Sequence, residues 1–427
     1  MRVGSGLRRI GRLMVWPLDV LLALACLGAF LVGIVLPLSF FRARRRNCPN
    51  HVLFHSHEGF HVAPTRLRCY QFARRLQETH PAYRCDVLAY WDHIFKFPGL
   101  PDRHPFKVEL AAAIIRSFFR MWTHRIGLVI DQRPNYHTWA TVLYRLASGA
   151  TVWLDIDDWI FEHYAYLPPL RIRWLLPIFC HLADGCIVAS TPIQKLIERY
   201  FPAPLLIPTF VDERLFTDRS FPSESAVIRF AWIGTVFDED SLTNVRFVLQ
   251  SFQAALPQIH HPVVLECLIG YNPLGTIGRD QMQEMLAAQF PTLPVRIGDW
   301  IQPDAVPAYL GTIHVGLYAL VNPNDFQRSK SPTKLFEYMA AGRPVIATAV
   351  GEAPCFIRHG LDGFVAHSAD EFRDAIIRFA NDPGAIAAMG VQARQRIEAE
   401  FNLGRVAELL NANLLNRTGI PSPTTGR

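Results

Sequence analysis

The chain has 427 residues, half of them hydrophobic, which is enough for two domains with cores of their own. Its net charge of +6 arises at the N-terminus, because residues 1–46 contain eight arginines and one acid, Asp19, whereas the remainder carries 35 basic and 36 acidic residues. A nucleic-acid-binding protein would carry its basic excess on the folded body, so the composition argues against a nucleic-acid partner.

The first predicted element is the apolar segment 14–41, in which Asp19 is the only charged residue. A segment of this length can cross the ~30 Å hydrocarbon layer of a membrane. A signal peptide has a shorter apolar run and a cleavage site, which is lacking here, and arginines at both ends disfavour a buried core helix. We therefore predict a single-pass membrane anchor with basic flanks, residues 1–46.

The cysteines favour a cytoplasmic folded body. The eight of them are scattered and form no C-x-x-C pair, which is typical of reduced thiols in a cytosolic protein. The arginines are divided equally between the two ends of the apolar segment, so the positive-inside rule leaves its orientation open.

Residues 47–211 alternate short apolar strands with helical patterns and predict a first α/β domain. Its strands are predicted at 51–55, 85–90, 127–131, 150–156 and 185–190, followed by 205–211. Two helical stretches, 106–125 and 167–185, mix arginines with aromatic residues. They are typical of helices that contact a membrane surface or of core helices with solvated arginines. The polar segment 212–226 is predicted to be a linker.

A second α/β domain is predicted over 227–383. Its strands are predicted at 227–234, 263–270, 293–299, 314–320, 343–349 and 363–366, with helices at 241–256, 278–289, 303–310, 332–341 and 369–380. Strands that alternate with helices pair in parallel, so we predict two facing, doubly wound, Rossmann-like domains. A helical segment, 384–415, and a disordered tail, 416–427, complete the chain. Parallel sheets bind ligands at the C-terminal ends of their strands, which makes the cleft between the domains the expected site.

The helix predicted over 332–341 begins in a way that suits an anion. Ser331 is expected to cap it, and Gly342 to end it. The free N–H groups of the first turn attract a phosphate, and Lys334 adds a charge that is unfavourable for the helix alone. Glu337, one turn later, could accept the hydroxyls of a ribose. The alternative is an ordinary capped helix with a Lys–Glu pair on its surface.

The second domain resembles the retaining glycosyltransferases of the GT-B fold known as family 4. The resemblance rests on IRFAWIGT (228–235), VRIGDWIQPDAVPAYLGTIHVGLYAL (295–320) and SPTKLFEYMAAGRPVIATAVGEAPCFIRHGLDGFVA (331–366). It implies a nucleotide-diphosphate sugar, of UDP or GDP type, held by the C-terminal domain. It also implies an acceptor held by the N-terminal domain and no required cofactor or metal.

The same resemblance implies which residues contact the donor. They are Gly59, Gly234, Thr235, Trp300, Ser329, Lys330, Pro332, Thr333, Lys334 and Glu337. Glu337 would bind the ribose, and the backbone around Lys334 would bind the diphosphate. The family has a sugar-contacting glutamate where this chain has Ser329, which puts the sugar specificity and the catalytic competence in question.

Two motifs of the first domain offer further candidates. The acids of LDIDDW, at residues 155, 157 and 158, lie at a predicted strand end and could orient or deprotonate an acceptor hydroxyl, cap a helix or bind a metal. In HVLFHSHEGFH (51–61) the histidines have a spacing that can bind a metal, but we interpret them as polar cleft residues. We predict Asp155, Asp157 and Lys334 as catalytic residues. The predicted acceptor or cleft residues are His55, His57, Arg66 and Asp158, and no metal site is predicted.

The sequence therefore predicts a membrane-anchored glycosyltransferase with a cytoplasmic body. It would transfer a sugar from a nucleotide-diphosphate donor to a hydroxyl of a glycan or lipid-linked acceptor, with retention, in polysaccharide biosynthesis. The main alternative is a catalytically inactive relative that binds a nucleotide or glycan as a scaffold. An epimerase of the same fold and a membrane-tethered receptor are two others.

Overall fold

The computed structural model describes most of the chain as two compact units. The described residues are 18–40, 47–60, 62–90, 107–159, 161, 172–217, 227–236, 239–271, 279–321 and 325–415. Several predicted segments lie outside the described residues. They are the ends of the predicted anchor region, His61, most of the predicted linker and the predicted tail. The first unit comprises the described residues of Met1–Ala189, Ile193–Pro208 and Val406–Arg427, and the second those of Ser190–Pro192 and Thr209–Arg405. The domain boundaries drawn from the sequence stay a prediction.

The first unit is built on a parallel six-stranded sheet of order β2-β1-β3-β4-β5-β6. Its strands are β1 (Cys48–Ser56), β2 (Arg84–Ala89), β3 (Ile126–Gln132), β4 (Thr151–Ile156), β5 (Gly185–Val188) and β6 (Leu205–Leu206). The strands are rich in Val, Ile and Leu because helices cover both faces of a parallel sheet. The chain reverses direction across the sheet between β1 and β3, so the C-terminal ends of these strands form a switch point where ligands bind in such folds.

The second unit contains a parallel six-stranded sheet of order β12-β11-β10-β7-β8-β9. Its strands are β7 (Ile228–Val236), β8 (Val263–Tyr271), β9 (Val295–Asp299), β10 (Val315–Tyr318), β11 (Val345–Thr348) and β12 (Gly363–Ala366). Here the switch point lies between β7 and β10. Both sheets confirm the α/β, doubly wound fold class, and the strands lie within a few residues of their predicted positions.

The helices are numbered in chain order. They are α1 (Leu18–Phe40), α2 (a π-helical Thr65–Gln71 continuing as Phe72–Thr79), α3 (Lys107–His124), α4 (Thr138–Ser148), α5 (Ile172–Leu182), α6 (Thr191–Ile197), α7 (Glu239–Ala255), α8 (Arg279–Gln289), α9 (Val306–Thr312), α10 (Asp325–Ser329), α11 (Thr333–Ala340), α12 (Ala353–Phe356), α13 (Ala369–Asn381), α14 (Pro383–Glu400) and α15 (Leu403–Leu410). The predicted helical segment 384–415 is divided in two. Asn402 causes the division, because its side chain accepts the N–H of Arg405 and starts a new helix.

Helix α1 is long and apolar, and it is mostly exposed. Its mean hydropathy is 2.7, and only 17% of its most apolar window is buried. It is long and apolar enough to cross a membrane, and its exposure is unlike the burial of a core helix. The opposite holds for α3, whose Ala113, Ile114 and Phe118 are buried in the core of the first unit.

One contact in the second unit fixes α11 on its sheet. Gly316 in β10 lies directly under the ring of Tyr338 in α11, and a Cβ atom at this position would overlap that ring. The Tyr338 hydroxyl donates a hydrogen bond to the carbonyl of Ala231 in β7, at 3.2 Å. The helix is therefore tied to both strands of the switch point, which determines where its first turn lies.

We predict that Gly316→Ala destabilises the second unit. The added methyl group must displace the Tyr338 ring, and overpacking of this kind costs about 1–3 kcal/mol. Denaturant unfolding would measure the loss. Gly28→Ala is the matched control, because nothing lies within 4 Å of a Cβ atom there. Equal stability of the two variants would contradict the proposed role of this contact.

Candidate functional site

The predicted donor-binding residues of the second unit converge at the C-terminal ends of its strands. Thr235 lies at the end of β7, in register with Gly270 of β8. Trp300 follows directly after β9, and a Cβ atom at Gly270 would lie 2.9 Å from its ring and 3.2 Å from the Thr235 hydroxyl. Gly270 therefore lets the indole ring lie flat against the strand beside Thr235. Gly234 makes room for the Trp232 ring, which a Cβ atom at this position would overlap.

Lys334 and Glu337 join this group from the first turns of α11. The Lys334 Nζ lies 5.1 Å from the centre of a Trp300 ring and 3.0 Å from Oε2 of Glu337. The ion pair is partly enclosed, since the Glu337 side chain is only 10% exposed and that of Lys334 25%. The structure thus brings Thr235, Trp300, Lys334 and Glu337 together, and the Lys–Glu pair is not the exposed surface pair of the alternative interpretation.

The start of α11 differs from the prediction in one respect. Ser331 was expected to cap the helix, and this is wrong. The N-cap residue is Pro332, and no side chain caps the first turn. Ser331 lies one residue too early, and its hydroxyl accepts the N–H of Thr209 at 3.1 Å. Because no N-cap side chain bonds to the first turn, its N–H groups suit an anion.

Ser329 is the last residue of α10, and Lys330 follows it. The Ser329 hydroxyl is buried and donates to the carbonyl of Phe326 at 2.9 Å. Its own carbonyl accepts a hydrogen bond from Ser190 at 2.8 Å. The Lys330 Nζ lies 4.6 Å from the centre of the Phe326 ring. In these contacts both residues stabilise the turn before α11.

In the first unit, Asp155 is held in a buried ion pair. Its two carboxylate oxygens accept hydrogen bonds from Nε and an NH2 group of Arg68, at 2.8 and 2.5 Å. Arg68 also donates to the carbonyl of Ile207, at 2.9 Å. A carboxylate with both oxygens engaged by a guanidinium is poorly placed to accept a proton, so this geometry favours a positioning role for Asp155 over the predicted catalytic one.

Asp157 and Asp158 share a different arginine, Arg133. Its guanidinium donates to Asp157 at 2.7 Å, to Asp158 at 2.5 Å and to Glu58 at 3.2 Å. Gln132 donates to the same Asp157 oxygen, Oδ1, at 3.0 Å. Arg133 has a left-handed backbone, with φ 53°, a conformation that costs free energy and is concentrated at functional sites.

Neither Arg133 nor Asp131 was predicted from the sequence as a site residue. The sequence does contain a signal for them, because the apolar run GLVI (127–130) predicts a strand that ends at the polar residues DQR (131–133). The rule that selected LDIDDW would have selected this segment too.

Asp131 is the centre of a buried histidine cluster at the switch point. It accepts hydrogen bonds from the hydroxyls of Thr138, at 2.7 Å, and Thr141, at 2.5 Å. His55 lies 3.0 Å and His137 3.2 Å from its oxygens. Burial alone would raise the pKa of Asp131, but the two histidines hold that pKa well below its usual range.

The same cluster contains residue types that can bind a metal ion. Among the residues that the structure describes, His55, Asp131 and His137 have ligand atoms within 4.8 Å of one another. The two threonine hydroxyls donate to the carboxylate, whereas both ring nitrogens of His137 are buried without a hydrogen bond to the described part of the chain. The expectation that no metal or cofactor is required stays a prediction.

Of the other predicted residues of this unit, His57 lies beside the cluster, with its ring centroid 5.5 Å from that of His137. The ring of His57 stacks on Tyr90 with centroids 5.9 Å apart. Burial lowers the pKa of His57 well below its usual value, and the positive charges of His137 and Arg133 lower it further. Gly59 accepts the N–H of Val62 in the turn after β1. Arg66 is half-buried near the start of α2.

Comparison with known families identifies the second unit. Residues 228–382 match the family described as glycosyl transferases group 1. The second unit is a glycosyl transferases group 1 domain. The match confirms the predicted resemblance to GT-B glycosyltransferases and the prediction of a nucleotide-sugar-dependent transferase. No curated protein has significant sequence similarity to the chain.

Several solved glycosyltransferase structures share the fold. Sucrose-phosphate synthase from Thermosynechococcus elongatus is 17% identical, with 87% of this chain and 100% of that chain covered and a TM-score of 0.64. A glycosyltransferase from Rickettsia africae is 14% identical, with coverages of 88% and 100% and a TM-score of 0.63. Anabaena HepE, in complex with UDP and glucose, is 14% identical, with coverages of 86% and 99% and a TM-score of 0.62. At these identities the likeness establishes the GT-B fold.

We predict that Arg68→Met destabilises the first unit by about 3–5 kcal/mol, because it leaves the Asp155 charge buried without a partner. The double variant Arg68→Met, Asp155→Leu should recover most of this loss, since an apolar pair can replace a buried ion pair. Arg74→Met is the control on the same helix, as Arg74 forms an exposed pair with Glu78, worth about 0–1 kcal/mol. Chemical unfolding that gave the same stability for Arg68→Met and Arg74→Met would contradict the structural role of the pair.

We also predict that acid destabilises the first unit through His57. The unfolded chain binds a proton below about pH 6.5 that the folded chain excludes, so the free energy of unfolding falls by up to about 1.4 kcal/mol per pH unit as the pH drops further. His57→Gln should flatten this slope between pH 6.5 and 5, as measured by urea unfolding at each pH. His181→Gln, at an exposed position, should keep it. An unchanged slope in His57→Gln would show that His57 is not buried in its neutral form.

Proposed function

We propose that the protein transfers a sugar from a nucleotide-diphosphate donor to a hydroxyl of a glycan or lipid-linked acceptor at a membrane, with retention of configuration. The observation that carries the proposal is the convergence of Lys334, Glu337 and Trp300 at the uncapped start of α11. Such a group has a cation, a carboxylate and an aromatic face within reach of one nucleotide.

The diphosphate would bind at Lys334. An ammonium group has three donors, and Glu337 takes one of them, which leaves two for phosphate oxygens. When the bond between the sugar and the phosphate breaks, the diphosphate gains negative charge. Lys334 and the N–H groups of the first turn of α11 would stabilise that charge in the transition state.

The nucleoside would bind between Glu337 and Trp300. The Glu337 carboxylate has two oxygens, only one of which accepts from Lys334, so the other is available to a ribose hydroxyl. Trp300 is 41% exposed and offers a ring face for the base. The complexes of Anabaena HepE with UDP and with UDP-glucose support a donor of the UDP type, and a GDP type remains the alternative.

The acceptor hydroxyl would meet Asp157 rather than Asp155. The hydrogen bonds that Gln132 and Arg133 donate to Asp157 both reach Oδ1, which leaves Oδ2 to orient the hydroxyl and take its proton. The departing phosphate is the other group that could take this proton. His55, His57, Arg66 and Asp158 would line the acceptor side of the same switch point.

A catalytically inactive scaffold that binds a nucleotide or glycan is the second candidate. It is favoured by Ser329, which stands where related enzymes have a glutamate that contacts the sugar, and whose hydroxyl bonds to Phe326 instead. Both candidates bind a nucleotide. Only the transferase releases UDP or GDP from a nucleotide sugar in the presence of an acceptor.

We predict that Lys334→Ala weakens UDP binding by about 10- to 150-fold, because a hydrogen bond between charged groups contributes about 1.5–3 kcal/mol. Isothermal titration with UDP and with GDP would measure the effect. Lys195→Ala, which removes an exposed lysine, is the matched control.

Unchanged nucleotide affinity in Lys334→Ala would remove the basis of both candidates. The scaffold would be supported by a different result. In that case the unaltered chain binds the nucleotide normally but turns over no UDP- or GDP-sugar offered with glycan and lipid-linked acceptors.

A further inference from the structure

We infer that α1 lies along the surface of the membrane, side by side with α3, and does not cross the bilayer. The inference concerns how the chain meets the membrane, so it depends on the proposed membrane association and not on the transferase activity. It replaces the predicted single-pass anchor with an interfacial one.

The first step is a polar contact between the two helices. Asp19, the only charged residue of α1, is 7% exposed. Its Oδ1 accepts the backbone N–H of Val108, in the first turn of α3, at 3.1 Å. A carboxylate at a helix N-terminus is stabilised there. The charge of α1 therefore points into the protein and not towards lipid.

The second step is a set of apolar contacts further along both helices. The ring of Phe30 packs edge-on against those of Phe118 and Phe119, with centroids 5.0 and 5.7 Å apart. Phe30 and Val35 belong to the same buried core as residues of the sheet. Helix α1 is therefore docked on the first unit along one stripe of its surface.

These contacts give the direction of the two helices. Asp19 and Phe30 are 11 residues apart, and their partners Val108 and Phe118 are 10 residues apart. At about 1.5 Å per residue, the helices run in the same direction and side by side for roughly 15 Å. Whatever environment surrounds this part of α1 also surrounds α3.

Helix α3 cannot follow α1 into the hydrocarbon layer. Its Ile114 and Phe118 are buried against the sheet of the first unit, and its Arg116 and Arg120 are exposed. Charged side chains and irregular backbone are costly inside a bilayer. A docked α1 is therefore restricted to the interface, whereas an α1 that spans the bilayer must give up both the Asp19 and the Phe30 contacts.

The remaining surface of α1 fits the interface. Its exposed apolar residues include Leu21, at 63%, and Val32, at 66%, and the exposed Phe119 of α3, at 41%, adds to them. Two basic residues, Arg116 and Arg120, lie on α3, and eight arginines flank α1 in the sequence. Basic residues beside an apolar surface are attracted to anionic lipid headgroups.

The test is a two-tag topology measurement on the full chain in a bacterial host, with a protease-sensitive epitope at each terminus. We expect both tags to be digested in inverted membrane vesicles and both to be protected in intact spheroplasts, because an interfacial helix leaves both termini on one side. Digestion of the N-terminal tag alone in spheroplasts would place α1 across the bilayer and overturn the inference.

Two variants separate docking from lipid contact. Leu21→Ser, on the exposed face of α1, should release part of the chain from the membrane while both tags stay on one side. Asp19→Leu with Phe30→Ala removes both docking contacts and should move the N-terminal tag of some molecules to the other side. If the tags of this double variant stay on one side as in the unaltered chain, docking does not control the topology, and the inference is overturned.

The same preparation distinguishes failure of the inference from failure of the proposed function. Recovery of the full chain in the soluble fraction would overturn the membrane association together with this inference. Release of UDP or GDP by that soluble chain, from a nucleotide sugar offered with an acceptor, would still support the transferase.

Discussion

The ammonium group of Lys334 is held between a carboxylate and an indole ring, and the account of the second unit depends on this interaction. A lysine in the first turn of a helix opposes the helix dipole, so it needs a partner. Glu337 supplies one at 3.0 Å, and Trp300 adds the face of its ring at 5.1 Å. Their positions follow from packing, because Tyr338 sits on Gly316 and fixes α11, while Gly270 makes room for Trp300. Gly316 and Gly270 therefore determine where α11 and the Trp300 ring lie.

In the first unit, negative charges are the ones that need partners. Its strands bring several carboxylates to one edge of the sheet, where burial would penalise their charges. Arg68 neutralises Asp155 in full, whereas Arg133 is divided among three acids. The second arrangement retains net negative charge and an unengaged oxygen of Asp157, which is what the orientation of an acceptor hydroxyl requires. Asp155 and Asp157, two aspartates of one motif, thus differ in their surroundings because they pair with different arginines.

The sequence predicted the fold, since apolar runs and their spacing locate strands and helices. It also placed Lys334 one turn before Glu337 in SPTKLFEYM, the pair at the centre of the candidate donor site. It predicted less of the first unit. The partners of Asp155 and Asp157 come from α2 and from the residue after β3, and such long-range pairing depends on the order of the strands, which the spacing of the strands along the chain does not specify. The Ser331 cap was wrong because the backbone of Pro332 moves the helix start by one residue. The docking of α1 depends on Phe30 and Asp19 meeting α3, and hydropathy alone carries no such information.

An experimental structure of the full chain with UDP bound tests the role of Lys334 most directly. We expect a β-phosphate oxygen within hydrogen-bond distance of the Lys334 Nζ, a ribose hydroxyl donating to Glu337, and the base beside Trp300. UDP bound elsewhere, with the Lys334–Glu337 pair closed and without contact to the nucleotide, would contradict it.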